Sequence, residues 1–165
     1  MTTSTVVTQE RFVPVEISYD AIIPTYNPIE FIDGIPVGYF LSRLHEHGHE
    51  FLNDINSAYA ELHIQGLSTP FWIHKEYLES QSTFFNRAFK ELNRGDKMVI
   101  KIPSPEDFEP LLEYLYTGDG DKWYDTMNPD NYYDVWSNVE FFGLGLEARA
   151  ICIAYYQNEV LNNSN

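Results

Sequence analysis

The sequence has 165 residues, of which 44% are hydrophobic and 16% aromatic, so global disorder is excluded and a single domain with a substantial core is expected. Its 25 acidic residues outnumber its 10 basic residues, for a net charge of −15. This charge argues against binding to nucleic acid or to an anionic membrane, and it suits solubility or a basic protein partner.

The chain has one cysteine, Cys152, so an intramolecular disulfide is excluded and a reducing compartment is indicated. Its apolar neighbours Ile151 and Ile153 predict a buried, inert thiol. The N-terminal residues lack the pattern of a signal peptide, and no apolar run approaches the roughly 20 residues that span a bilayer. We therefore expect an intracellular protein of the cytoplasm, the nucleus or both.

Residues 1–38 predict an extended, partly disordered N-terminal arm. Residues 12–17 have a strand-like pattern, and Pro14 restricts such a strand to a sheet edge. The later part of the arm is rich in proline but too apolar for a free linker. We expect it to lie against the domain or against a second subunit.

Residues 39–56 predict a helix before the first strand of the domain, interrupted at Gly48. Its apolar side chains fall near one stripe, which includes Phe40, Leu41, Leu44 and Phe51.

The next part of the chain predicts a β-hairpin, two short helices and a third strand. Residues 60–66 alternate between apolar and polar, and residues 71–73 form the returning strand after a turn. Helical spacing then runs to Phe89 around a polar break, with Ser82 as the N-cap of the second helix. Residues 97–102 alternate again as a strand.

The strongest helix start lies at Ser104, which is the expected N-cap, with Pro105 at the first helical position and Asp107 completing an acidic capping box. Apolar residues then recur at helical spacing as far as Gly118, the expected left-handed C-cap. A polar loop is predicted over 119–130.

Two further helices are predicted at the C-terminal end. The first begins near Asn128 and buries Val135, Val139 and Phe142 among others, and the second covers about 146–161. Residues 162–165 are expected to be a tail.

Two of these segments resemble the signatures of the BTB/POZ domain family. The first has His74, Lys75, Leu78 and Ser82 in order, followed by Phe85 and Phe89. The second is the string Phe108-x-x-Leu111-Leu112-x-Tyr114-Leu115-Tyr116-Thr117-Gly118. The resemblance covers 60–160 well and 39–59 loosely. It implies an α/β (α+β) fold over 39–161, with a small, mostly antiparallel sheet surrounded by helices.

The resemblance implies a protein–protein interaction module and not an enzyme. In BTB domains, a helix before the first strand packs across a dimer partner, and residues 39–56 lie in that place. Homodimerisation is therefore expected through Phe40, Leu41, Leu44 and Phe51. The alternative is that these side chains pack only on their own domain core.

A second expected function is that of a substrate adaptor of a cullin-type ubiquitin ligase. Cullin-binding members carry an apolar-x-Glu element after the Phe-rich helix. The letters of Phe89-Lys90-Glu91 match but lie early, and Leu92-Asn93-Arg94 lies nearer the expected place without the Glu. The partner-binding candidates are Phe89, Glu91 and Leu92, and this hypothesis predicts that Glu91 and Leu92 are exposed beside the final helices.

A remote alternative is a zinc metallopeptidase, because His45-Glu46-His47-Gly48-His49 satisfies the His-Glu-x-x-His pattern. On one helix, His45 and His49 would share a face and Glu46 would act as a general base. Gly48 weakens such a helix, and no third ligand follows at a family spacing. We therefore expect no catalytic residues, cofactor or resident metal, with His45 and His49 as weak metal candidates only.

Overall fold

The computed structural model describes residues 31–164. The predicted strand at 12–17 and most of the predicted arm lie outside the described residues. The described strands are β1 (Phe31–Ile32), β2 (Ile35–Pro36), β3 (Ala60–Ile64), β4 (Phe71–Ile73) and β5 (Lys97–Ile100). The described α-helices are α1 (Val37–Glu46), α2 (Gly48–Phe51), α3 (Lys75–Leu78), α4 (Thr83–Glu91), α5 (Phe108–Thr117), α6 (Gly120–Asp125), α7 (Tyr132–Phe142) and α8 (Leu146–Tyr155).

A three-stranded sheet, in the order β4-β3-β5, forms one side of the core. β3 pairs antiparallel with β4, as predicted for the hairpin, and parallel with β5. The return to β5 is parallel because α3 and α4 intervene and bring the chain back to the same end of the sheet. β1 and β2 form a separate antiparallel pair, so two of the three pairings between described strands are antiparallel.

The core lies between this sheet and the helices around α5. Ala60, Leu62 and Ile64 of β3 are buried, whereas Glu61 and His63 between them are half-exposed, as period-two alternation predicts. The Phe-rich helix α4 packs on α7, where the rings of Phe85 and Phe142 stack with centroids 5.2 Å apart. The α+β class and the central place of the Phe-rich segment are confirmed.

The predicted helix ends are largely confirmed. Ser82 is the N-cap of α4, since its Oγ accepts a hydrogen bond from the backbone N–H of Phe85 at 3.1 Å. Gly118 ends α5 with a φ of 70°, a conformation that favours glycine. Ser104 differs from its prediction: a 3₁₀ turn at Pro105–Asp107 precedes α5, and the Ser104 hydroxyl donates to the Asp107 carboxylate at 2.7 Å instead of accepting a backbone bond.

The helix predicted over 39–56 is confirmed in part, because it is interrupted beside Gly48 as predicted but ends at Phe51. The helix begins two residues earlier, ends at Glu46, and resumes as the single turn of α2 after His47. The physical reason is the close approach of the chain to the end of α5. A Cβ atom added at Gly48 would overlap the carbonyl oxygen of Tyr116.

The predicted polar loop over 119–130 is also wrong in part, because α6 forms within it. Asp119 caps α6 by accepting from the backbone N–H of Lys122 at 3.0 Å. Trp123 is buried, and its ring stacks on Tyr114 with centroids 4.5 Å apart. At the C-terminal end, α8 is followed by a π-helical turn at Tyr156–Leu161.

Candidate interaction surfaces

The N-terminal surface, defined here as residues 31–41, is apolar and is exposed or half-exposed within the described part of the chain. It contains β1, β2 and the first half of α1. Phe31 and Tyr39 are 61% and 62% exposed, and Phe40 and Leu41 are half-buried. None of its residues is buried, and α1 has no buried residue along its whole length. Such an apolar patch marks an interaction surface more often than a solvated face.

The four predicted interface residues divide into two pairs. Phe40 and Leu41 belong to the N-terminal surface. Leu44 packs against the domain core, and its carbonyl oxygen accepts a 2.7 Å hydrogen bond from Tyr77 Oη. Phe51 is partly exposed and lies edge-on to the His74 ring, with centroids 5.7 Å apart. All four are therefore accessible in part, and the second pair also packs on its own domain.

His45 attaches α1 to the domain. Its Nε2 donates to the carbonyl oxygen of Leu115 at 3.2 Å. A Cβ atom at Gly118 would overlap His45 Nδ1, which shows how closely the ring fits against the end of α5. Burial lowers the pKa of His45, so the ring is neutral at physiological pH.

The zinc geometry expected of His45 and His49 is not formed. His45 is near the end of α1 and half-buried, whereas His49 is exposed on α2 beyond the break at His47. The two rings therefore do not share a face of one helix. No group of three or more His, Cys, Asp or Glu side chains within residues 31–164 is arranged to hold a metal ion.

A polar chain that sequence reasoning missed links the partly exposed Asp54 and Ser57 to the buried His74 and Tyr116. Ser57 Oγ donates to Asp54 Oδ2 at 2.6 Å and lies 2.8 Å from His74 Nε2, and His74 Nδ1 lies 2.8 Å from Tyr116 Oη. The hydroxyl proton of Ser57 is committed to Asp54, so His74 donates to Ser57 instead of accepting from it. The chain therefore does not activate Ser57 as a nucleophile. It fastens the segment before β3 to α5, so His74 has a structural role.

The partner-binding candidates after α4 lie mostly inside the domain. Phe89 and Leu92 are only 2% and 4% exposed, whereas Glu91 is exposed. The prediction that Leu92 is exposed is wrong. Leu92 is buried because the chain turns inward after α4, where Tyr59 Oη donates to the Leu92 carbonyl oxygen at 3.1 Å.

A cleft of about 300 Å³ between α5 and α6 is a second candidate surface. Its lining includes the carboxylates of Glu109 and Glu113 on α5 and the aromatic rings of Tyr114 and Trp123. Lys122 Nζ crosses it to Glu113 Oε1 at 2.5 Å. Sequence reasoning missed this cleft because the α6 segment has the composition of a loop.

Two expectations about the rest of the chain can be compared with the described part. Cys152 is buried, and burial raises the pKa of its thiol to about 12, so the thiol is protonated and unreactive, as predicted. Among residues 31–164, no helix combines the length and the apolar character needed to cross a membrane.

Comparisons with known proteins identify the fold. The family model of the BTB/POZ domain matches residues 52–142, more than half of the chain. The solved BTB domain of zebrafish PATZ1 is 16% identical, with a TM-score of 0.54, and the match covers 74% of this chain and 92% of that one. No curated protein sequence matches the chain. The matched residues include the hairpin, the Phe-rich helix and the helix ending at Gly118, and the chain belongs to the BTB/POZ domain family.

Proposed function

We propose that this BTB/POZ domain, a protein–protein interaction module, forms a homodimer through its N-terminal surface. The observation that carries the proposal is the absence of any buried residue in residues 31–41, although eight of these eleven residues carry apolar or aromatic side chains. Covering such a surface is favourable by roughly 25 cal/mol for each Å² of apolar area removed from water. A two-fold axis through α1 covers the same patch on both copies.

The charge of the N-terminal surface supports a second copy as its occupant. The whole chain carries a net charge of −15, so most of its surface repels another copy. Residues 31–41 contain one charged residue, Asp33. Farther along α1, Arg43 and Glu46 pair with each other at 3.3 Å. Two copies therefore meet at this surface with little like-charge repulsion.

A matched pair of tyrosine substitutions tests the proposal. Tyr39 in α1 and Tyr133 in α7 are 62% and 68% exposed, so neither Tyr39→Asp nor Tyr133→Asp disturbs the core. Sedimentation velocity should show at least a tenfold weaker dimer for Tyr39→Asp, because dimerisation would bury an unpaired carboxylate. Tyr133→Asp should sediment as the parent chain does. Equal behaviour of the two variants, with unchanged circular dichroism, contradicts the proposal.

The alternative, a cullin-type adaptor, has weaker support. Glu91 is exposed as that function requires, but the two apolar candidates Phe89 and Leu92 are buried. A pull-down with purified cullin tests it. Capture that is lost on Glu91→Ala and kept on Glu140→Ala, at an exposed position of α7, would favour the adaptor function over homodimerisation alone.

A further inference from the structure

We propose that the outer edge of β5 binds an acidic, extended segment of a partner protein by strand addition. In this mode of binding, hydrogen bonds join the two backbones, and the side chains beside the edge determine which partner is accepted. The edge shares no residue with the N-terminal surface, so the proposal does not depend on homodimerisation.

The backbone of β5 presents hydrogen-bonding groups at this edge. β5 is the last strand in the order β4-β3-β5, and it pairs with no described strand other than β3. The carbonyl oxygens of Asp96 and Ile100 accept hydrogen bonds of 3.0 and 2.8 Å from N–H groups of β3 and of the residue after it. Because alternate residues of a strand direct their backbone groups to opposite sides, the N–H and C=O of Val99 point away from β3.

The opposite edge of the sheet is closed by a side chain. There the backbone N–H of Trp72 in β4 donates to Asn53 Oδ1 at 2.8 Å. Asn53 has a φ of 57°, in the left-handed region where asparagine is enriched. Since this donor is already occupied, the described part of the sheet favours strand addition at β5 and not at β4.

The side chains beside the β5 edge favour an acidic partner. Met98 and Ile100 are buried in the core, so the residues that alternate with them lie on the outer face of the sheet. These are Lys97 and Val99, which are half-exposed, and Lys101, which is exposed. An apolar side chain therefore lies between two ammonium groups along the edge.

The charge of residues 87–101 differs from that of the rest of the chain. This segment contains five of the ten basic residues and only two of the 25 acidic residues. At physiological ionic strength, exposed charges farther apart than about 8 Å are largely screened from each other. The nearby basic residues therefore outweigh the distant acidic ones for a ligand at this edge.

A second copy of β5 is a poor occupant of the same edge. Lysines on an edge strand oppose pairing with an identical strand, because like charges directly opposite each other are destabilising. The same lysines stabilise a strand that places carboxylates opposite them. Charge complementarity therefore selects an acidic segment over another copy of this chain.

The register of an antiparallel addition defines the sequence pattern of the partner. A residue directly opposite Val99 would exchange two backbone hydrogen bonds with it. The residues two positions before and after would then lie opposite Lys101 and Lys97, with Cβ atoms about 4.5–5.5 Å apart. The matching segment is therefore extended and has the pattern acidic-x-apolar-x-acidic.

The test uses the full chain, labelled with ¹⁵N, and the capped heptapeptide Thr-Glu-Thr-Val-Thr-Glu-Thr at about 0.15 M salt. We expect saturable binding. Hydrogen exchange of the Val99 N–H should be fast in the free chain and at least tenfold slower with saturating peptide. A matched peptide with N-methylvaline at its centre keeps both charges but lacks the central N–H, and it should bind at least tenfold more weakly.

Two variants separate pairing at the β5 edge from general charge attraction. Lys101→Glu places a carboxylate opposite an acidic residue of the peptide and should weaken binding at least fivefold. Lys90→Glu makes the same charge change at an exposed position of α4 and should bind within twofold of the parent chain. Tyr39→Asp should leave peptide binding unchanged, so failure of this proposal and failure of the dimer are distinguishable.

Four results would overturn the proposal. They are slow exchange of the Val99 N–H in the free chain, absence of saturable binding, equal binding of the two peptides, and equal weakening in the two lysine variants. The first result would show that another segment of this chain or a second copy already covers the edge. The third would show that backbone pairing does not contribute, and the fourth would reveal general charge attraction.

Discussion

His74 is the residue whose protonation state the fold constrains most directly. Its backbone N–H donates to Tyr116 Oη at 2.8 Å, and the hydroxyl of that tyrosine donates to His74 Nδ1. With Nε2–H donated to Ser57, the neutral ring has both nitrogens satisfied. If Nδ1 were also protonated, its N–H would face the Tyr116 hydroxyl, which already accepts a hydrogen bond from the His74 backbone. The hydroxyl proton of Tyr116 would then have no acceptor. The fold therefore stabilises the neutral form of the His74 ring.

We expect the free energy of unfolding to fall as the pH falls below the ordinary histidine value of 6.5. Burial lowers the pKa of His74 and of His45, despite the opposing charges of Glu76 and Asp54 near His74. The unfolded chain then binds more protons than the folded chain in this range, so stability present above pH 6.5 is lost on acidification. Protonation of Asp54 affects the free energy of unfolding only at lower pH, because the hydrogen bond from Ser57 lowers the Asp54 pKa from 3.8.

Urea denaturation at about pH 7.5 and about pH 5.5 measures this loss. His74→Gln should lose less stability between the two values than the parent chain does, whereas His49→Gln, at an exposed position, should lose as much as the parent. An identical loss in the parent chain and in His74→Gln would contradict the prediction.

Asn138 is a second buried polar residue with a defined task. It is fully buried, and its side chain donates to the Ser104 carbonyl at 2.8 Å and accepts from the Ser104 N–H at 2.9 Å. Asn138→Ala leaves both backbone groups unpaired, so we expect a loss of about 3 kcal/mol in the free energy of unfolding. Urea denaturation should show Ser137→Ala, at the neighbouring position, within about 0.5 kcal/mol of the parent. A similar small loss for Asn138→Ala would show that the two bonds contribute little.

At the scale of elements, the break between α1 and α2 depends on the absence of a side chain at one position. Gly48→Ala would force a Cβ atom against the Tyr116 carbonyl, and we expect a loss of about 3 kcal/mol from overpacking. At Gly38 in α1, an added Cβ atom would have no neighbouring atom within 4 Å, so Gly38→Ala in the Tyr39→Asp background, which weakens the proposed dimer, should be neutral or slightly stabilising. Thermal unfolding of both variants tests this, and a destabilising shift of the same size for both is the contrary result.

The elements that the sequence predicted well are those with local signals. The alternation in β3, the Ser82 cap and the apolar spacing of α5 and α7 are each visible in the sequence itself. The misses have causes that are distant in sequence. Gly48 lies against the Tyr116 carbonyl, and Trp123 of α6 stacks on Tyr114. Neither helix propensity nor hydrophobic periodicity predicts these contacts, because both are properties of a local stretch of sequence.

The candidate sites also divide into features with a local sequence pattern and features that depend on contacts between distant residues. The apolar stripe that named Phe40 and Leu41 is a local pattern, and both side chains are half-buried in the described part of the chain. The burial of Leu92 depends on a hydrogen bond from Tyr59, 33 residues earlier, which no local pattern predicts. The acidic cleft was missed for a related reason, because Glu113 and Trp123 meet only once α6 has formed.

At the scale of the whole molecule, charge and apolar surface are separated. The N-terminal surface is nearly uncharged and apolar, whereas the acidic residues concentrate around α5, α6 and α7. Association through the N-terminal surface would therefore avoid most of the like-charge repulsion that the rest of the chain imposes.

The most direct test of homodimerisation is the molar mass of the purified chain, measured by multi-angle light scattering across a dilution series. We predict twice the mass of one chain, with a decline toward the single-chain mass only at strong dilution, and an earlier decline for Tyr39→Asp. The mass of a single chain at every concentration would contradict the proposed homodimer.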